Sequence, residues 1–268
     1  MAKRAALVVG TAAPILALSG WSVYVTQERR KPPANTDFVV GSTDDILADK
    51  LKTGDLLLFR RNWALMQPPA AALALAARAV FNTRYDHVGL VIKDRFGVPL
   101  VLEVTQLGLR LRRFDERVSW SRSDEIVALP LRAAPPDEAR VKAERYARSL
   151  TPERRLAWAQ PSQSMSAELA GLLKYWLANR AARRRGTSPD AKLWGEGLVA
   201  SRDAALVLAT LDKMGLVDLA AVEREVAPAQ LLSPRDLVEG RLPLTGGNAY
   251  LAGQELLVRL RDRSTRDR

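Results

Sequence analysis

Strand-like runs crowd into residues 55–131 of this 268-residue chain, and the residues after 136 read mostly as helix. Strands followed by helices make an α+β pattern, here a small and mainly antiparallel sheet packed with helices. Leu56-Leu57-Leu58-Phe59 follows the turn Lys52-Thr53-Gly54-Asp55 and lacks strict alternation. It therefore predicts a well-buried strand over 55–60. Runs at 86–93 and 99–105 flank a turn at 94–97 and predict a hairpin. Residues 108–113 add a strand, and 125–131 one more before Pro135-Pro136.

Helices are predicted around and after these strands. Gly41-Ser42-Thr43-Asp44-Asp45 caps a short helix at 45–51. An alanine-rich helix over 69–81 starts at Pro68-Pro69. Residues 136–150 place acids first and bases later, which suits the helix dipole. Residues 166–184 space Leu169, Leu172, Leu173, Trp176 and Leu177 as a helix does, and 197–214 forms another, closed by Gly215. Ser233-Pro234 starts a short helix, and 256–260 reads as a returning strand.

The amino terminus is nearly uncharged from Ala5 to Val25, with Lys3 and Arg4 before it and Arg29, Arg30 and Lys31 after it. At ~1.5 Å per residue, such a stretch just crosses a ~30 Å hydrocarbon core. Trp21 and Tyr24 lie where amphipathic rings suit an interface. A single membrane anchor is the expectation; a cleaved targeting segment and a buried helix are the alternatives. Two basic residues with no acid before Glu28 also suit mitochondrial import, so a single-pass place in the mitochondrial inner membrane is expected. The expected organisation is an anchor or targeting segment over 1–31, a tether over 32–45, one domain over 46–260 and a basic tail over 261–268.

Formal net charge is +11 and the pI about 10.3, a balance that favours an anionic partner. The chain has no cysteine, which excludes disulfides, thiolate metal sites and iron–sulfur clusters. It has a single histidine, His87, so any imidazole chemistry runs through that residue. One histidine with dispersed carboxylates offers no zinc spacing, and no metal or cofactor is expected. Glu103 falls on the strand after His87. In the right hairpin register its carboxylate orients the imidazole, the base–orienter half of a nucleophilic triad. The alternative is a histidine merely hydrogen-bonded at a sheet edge.

The order of several segments resembles the circularly permuted NlpC/P60, papain-like hydrolases. These are Gly54-Asp55-Leu56-Leu57-Leu58-Phe59, Asp86-His87-Val88-Gly89-Leu90-Val91, Glu103, Gly195-Glu196-Gly197-Leu198-Val199-Ala200, Lys213-Met214-Gly215-Leu216-Val217 and Leu232-Ser233-Pro234-Arg235-Asp236-Leu237. The resemblance covers about residues 46–260. It implies that His87 is the general base, Glu103 its orienter, and that a nucleophilic cysteine should start a later helix. This chain departs there. Anchoring on Leu198-Val199-Ala200 puts the cysteine position at Gly195, and anchoring on Gly215-Leu216 puts it near Asp203. Neither is the required nucleophile. Ser201 lies between the two anchors and is the one candidate hydroxyl.

These readings imply a catalytically inactive accessory or structural subunit of a membrane protein complex. The first alternative is a serine-dependent amidase, peptidase or lipid acyl hydrolase using Ser201, His87 and Glu103. The second is a basic structural subunit of a ribonucleoprotein. Arg180, Arg183, Arg184, Arg185 and Lys192 form a basic patch that fits a solvated face, an acidic protein or anionic lipid. Nucleic acid is disfavoured, because no arrangement of exposed aromatics accompanies the patch. Trp158, Trp176 and Trp194 are assigned to packing or interfaces. The partners expected are other subunits of the complex, with anionic lipid as a further contact.

Overall fold

A computed structural model describes residues 2–32, 41–81, 83–105, 108–131, 135–150, 202–217 and 256–258, with side chains from residue 16 onward except at 80, 81 and 202. The elements in chain order are α1 (Ala2–Arg30), α2 (Thr43–Lys50), β1 (Leu56–Arg61), a 3-10 turn (Trp63–Leu65) and α3 (Pro68–Phe81). They continue with β2 (His87–Lys93), β3 (Pro99–Thr105), β4 (Gly108–Arg113), α4 (Phe114–Ser119) and β5 (Ser123–Leu129). The last three are α5 (Asp137–Ser149), α6 (Arg202–Lys213) and β6 (Leu256–Leu257). The strands form one sheet in the order β4-β3-β2-β1-β5-β6, every neighbouring pair antiparallel. The fold is α+β.

The sheet is covered on both faces, which is why β1 shows no alternation. Leu56 and Leu58 join a core with Val88, Leu90, Ile92 and Leu102, beneath α5 and α6. Leu57 and Phe59 turn the other way, with Val91, Val101 and Ala128, toward Leu47 and Leu51 at α2 and Phe114 and Val118 of α4. α5 meets its core through Ala139, Ala143 and Ala147, a stripe of small side chains at four-residue spacing. Gly54 turns the chain into β1 with φ +99°, a backbone conformation that L side chains rarely adopt. Ser42 caps α2 by accepting from the Asp45 N–H at 3.3 Å.

Asp86 locks the end of β1 to α3. Its carboxylate accepts from the Arg61 backbone N–H (2.9 Å), Arg61 Nε (2.6 Å) and Arg78 Nη2 (2.5 Å). Burial disfavours the charged form, but the two guanidinium groups outweigh it and hold the carboxyl below its usual range.

The amino-terminal expectation is corrected. Among the described residues, no helix is long and apolar enough to cross a membrane. The single-pass anchor, and the inner-membrane location that followed from it, are not supported. The far end of α1 is instead a tertiary element. Val25 is fully buried. Trp21 Nε1 donates to the Ala64 carbonyl at 3.0 Å and stands edge-on to Trp63. Ser22 Oγ donates to Gln67 Oε1 at 2.6 Å, and Arg29 Nε donates to the Leu65 carbonyl at 3.3 Å. Arg122 Nη2 donates to the Lys31 carbonyl at 2.6 Å. Polar groups along this contact find partners in the protein, where a bilayer would supply none.

Candidate functional site

His87 opens β2 directly opposite Phe59 of β1. The two rings lie 5.3 Å apart. β2 and β3 pair so that Leu90 faces Leu102. Gly89 and Glu103 lie just past this last pair, on the strand ends that carry His87 and Glu103 toward each other. A Cβ at Gly89 would come within 2.8 Å of Val101 Cγ1 and 3.6 Å of Glu103 Cβ. The glycine in Asp86-His87-Val88-Gly89 is thus what lets the β3 side chains lie close beside the imidazole.

Both ring nitrogens of His87 meet carboxylates. Nε2 is 2.8 Å from Glu103 Oε2, and Nδ1 is 2.5 Å from Asp203 Oδ2. Glu103 Oε1 accepts from Arg117 Nε of α4 at 2.6 Å and Arg112 Nη2 of β4 at 2.5 Å. Arg117 also lies over the Phe59 ring, with Cζ 4.2 Å from the centroid. The side chains of Glu103, His87 and Asp203 are 0%, 4% and 14% exposed.

Electrostatics favours a charged ring between two anions. Burial alone disfavours the imidazolium, and Arg61 also opposes it. The charge of Asp203, with the hydrogen bonds to Asp203 and Glu103, outweighs both and raises the His87 pKa above its ordinary value. Burial likewise opposes ionisation of Glu103, but its bonds and charges toward His87, Arg117 and Arg112 carry it far below the usual carboxylate range. Asp203 lies in the first turn of α6, where the helix dipole also favours negative charge. Two carboxylates balance two guanidinium groups, and the imidazolium is the remaining charge.

The structure brings His87 and Glu103 together. Ser201 lies outside the described residues, as do Gly195, Trp158, Trp176, Trp194 and the basic patch from Arg180 to Lys192. The helix expected at 166–184 and the short one at Ser233 also fall outside them. Of the two anchors for the nucleophile position, only the downstream one falls on a described residue. It falls near Asp203, the residue against Nδ1. A doubly bonded imidazolium has no lone pair with which to accept a proton from a hydroxyl.

Sequence reasoning missed Arg112, Arg117 and the Arg61–Asp86–Arg78 clamp. A signal for the first two existed. A carboxylate on a strand buried on both faces requires compensating cations. Arg112 sits opposite Val101 on β4, two residues along the strand from Glu103. Among the described residues, no group of three or more side chains is arranged to hold a metal ion. Glu103 already spends both oxygens on cationic partners.

No family model matches the chain. No curated protein matches it. Among solved structures, one similarity is to the metalloprotein yiiX from Escherichia coli O157:H7, with 17% identity and a TM-score of 0.29. That match covers 37% of this chain and 49% of the other, so it spans about half the length of that protein.

Proposed function

We propose that this chain is a non-catalytic accessory domain of NlpC/P60-like, papain-like type, in which Asp203 occupies the seat of the missing nucleophile. The observation that carries the reading is the contact of Asp203 Oδ2 with His87 Nδ1 at 2.5 Å. In a base-assisted hydrolase that nitrogen must accept a proton from the attacking group. Here it donates one to a carboxylate. A carboxylate is a poor acyl-transfer nucleophile, and it gives the imidazole no proton to take.

The retained cluster then serves structure. It ties α6 to β2 and β3 through one imidazolium and leaves the rest of the surface to binding. A formal charge of +11 favours acidic protein partners, and other subunits of a larger assembly fit that chemistry.

Two measurements test this. The full chain, assayed with acyl and amide substrates and a serine-directed probe, is expected to show neither turnover nor labelling. Robust turnover abolished by His87→Ala would end the proposal. The second measurement is alkylation of Asp203→Cys. If position 203 is the nucleophile seat, its thiolate pairs with the imidazolium. Its alkylation near pH ~6 should then exceed that of an ordinary thiol of pKa ~8.5 by about tenfold or more. His87→Gln in the same background should remove the excess. An Asp203→Cys thiol that titrates as in a free peptide would show that the seat is misassigned.

A further inference from the structure

The hydrogen bond between His87 and Asp203 joins β2 to α6 across 116 residues of sequence, beside the apolar packing of α6 on the sheet. The two flanking carboxylates differ in what surrounds them. Glu103 is fully buried and held by Arg112, Arg117 and the ring. Asp203 is 14% exposed, and among the described residues its side chain meets the ring alone. A protonated imidazole has two N–H groups and serves both carboxylates. A neutral one has a single N–H and leaves one carboxylate facing a lone pair. Glu103 has no water to turn to. Asp203 does, so Asp203 is the side that lets go.

We propose that the imidazolium of His87 is a latch holding the first turn of α6 against the sheet. Loss of its Nδ1 proton to solvent frees Asp203 to water and loosens that turn. This goes beyond the accessory reading and does not depend on it.

The charged groups around the ring support a latch at this place. β3 presents Glu103, β4 Arg112, α4 Arg117 and α6 Asp203. On β1, Arg61 repels the imidazolium but is itself engaged by Asp86, as is Arg78 of α3. α5 packs through its alanines. The ring is the group in this set whose charge changes nearest neutral pH. The positive direction of its shift places release on the alkaline side of an ordinary histidine.

The experiment is a titration of the full chain from roughly pH 5 to roughly pH 10, following the imidazole by NMR. His87 is the sole histidine, so its resonances need no assignment. Hydrogen exchange of the amides of Ala204 to Val207 is followed in parallel, as protection factors corrected for the intrinsic pH dependence. Their protection is expected to fall by about tenfold with the midpoint of the ring titration, while β1 protection stays unchanged. In Asp203→Asn the fall should shrink to about twofold or less, and in His87→Gln it should be absent. β1 protection reports whether each variant is folded; if neither folds, the wild-type midpoints decide. Constant α6 protection through the ring titration would overturn the latch. So would an undiminished fall in Asp203→Asn.

Discussion

Asp203 Oδ2 lies 2.5 Å from Nδ1 of His87, so the ring nitrogen that Glu103 leaves open meets a second carboxylate. The imidazole becomes a bridge between Glu103 and Asp203. The chemical consequences of that bridge are measurable.

Removing the Asp203 charge should lower the His87 pKa. Its charge and hydrogen bond are the largest contributions favouring the imidazolium, and burial pulls the other way. In Asp203→Asn the single imidazole should titrate at least about one unit lower than in the wild type by NMR, corresponding to about 1.4 kcal/mol. An unchanged or higher value would show that Asp203 does not sit on the ring in solution.

Neutralising Glu103 should be costly. Glu103→Gln leaves Arg117, which is 10% exposed, without its anionic partner. Breaking a buried pair on one side costs about 3–5 kcal/mol, because the remaining charge stays out of water. Urea denaturation at neutral pH should show that loss. A change below about 1 kcal/mol would mean that solvent reaches the guanidinium groups freely.

Stability should have a plateau bounded by the cluster itself. His87 has a raised pKa, so its contribution is complete below the unfolded value of about 6.5 and is lost as pH rises through the higher folded value. Glu103 and Asp86 have lowered values. Their contributions are complete above the unfolded carboxylate values of about 4–4.5 and are lost as pH falls through the folded ones. All three are therefore fully present between about pH 4.5 and pH 6.5. Denaturation midpoints measured across pH should decline on both sides. His87→Gln should flatten the alkaline limb and leave the acid limb in place.

Gly89→Ala should destabilise the sheet near the site. The added Cβ would sit 2.8 Å from Val101 Cγ1, and both neighbouring strands are fixed by pairing. A cost of about 1–3 kcal/mol is expected from overpacking. Gly97→Ala is the contrast. Gly97 lies in a turn at φ +80° with no atom near the added Cβ, so its penalty is the backbone conformation alone. Equal shifts in the His87 resonance for the two variants would argue against close packing beside the ring.

Much of the sheet was legible because β1, β2 and β3 announce themselves as compact apolar runs between turns. The Glu103–His87 contact followed from them, since a hairpin with a short turn leaves little freedom of register. α4 was missed. Phe114-Asp115-Glu116-Arg117-Val118-Ser119 is too short to display a helical period, and it becomes a helix because Phe114 and Val118 fill the core beneath Phe59. α6 was expected at 197–214, and the described helix is Arg202–Lys213. Residues 197–201 of that expectation lie outside the described residues. The amino-terminal apolar run misled for a related reason. Its spacing said nothing of Gln67, Leu65 and Arg122, the groups against which the end of α1 packs.

The order of amino acids alone determined that a single imidazole and no thiol are available, and that the imidazole opens a strand next to the one bearing Glu103. Those are matters of composition and of spacing within a few tens of residues. The folded chain alone decided which carboxylate meets Nδ1, which guanidinium groups neutralise Glu103, and that α1 ends against protein. The first and last of those join segments far apart along the chain, and the guanidinium groups reach Glu103 from the next strand and helix. Their closeness is set by how cores pack on both faces of the sheet, and no local pattern encodes that distance.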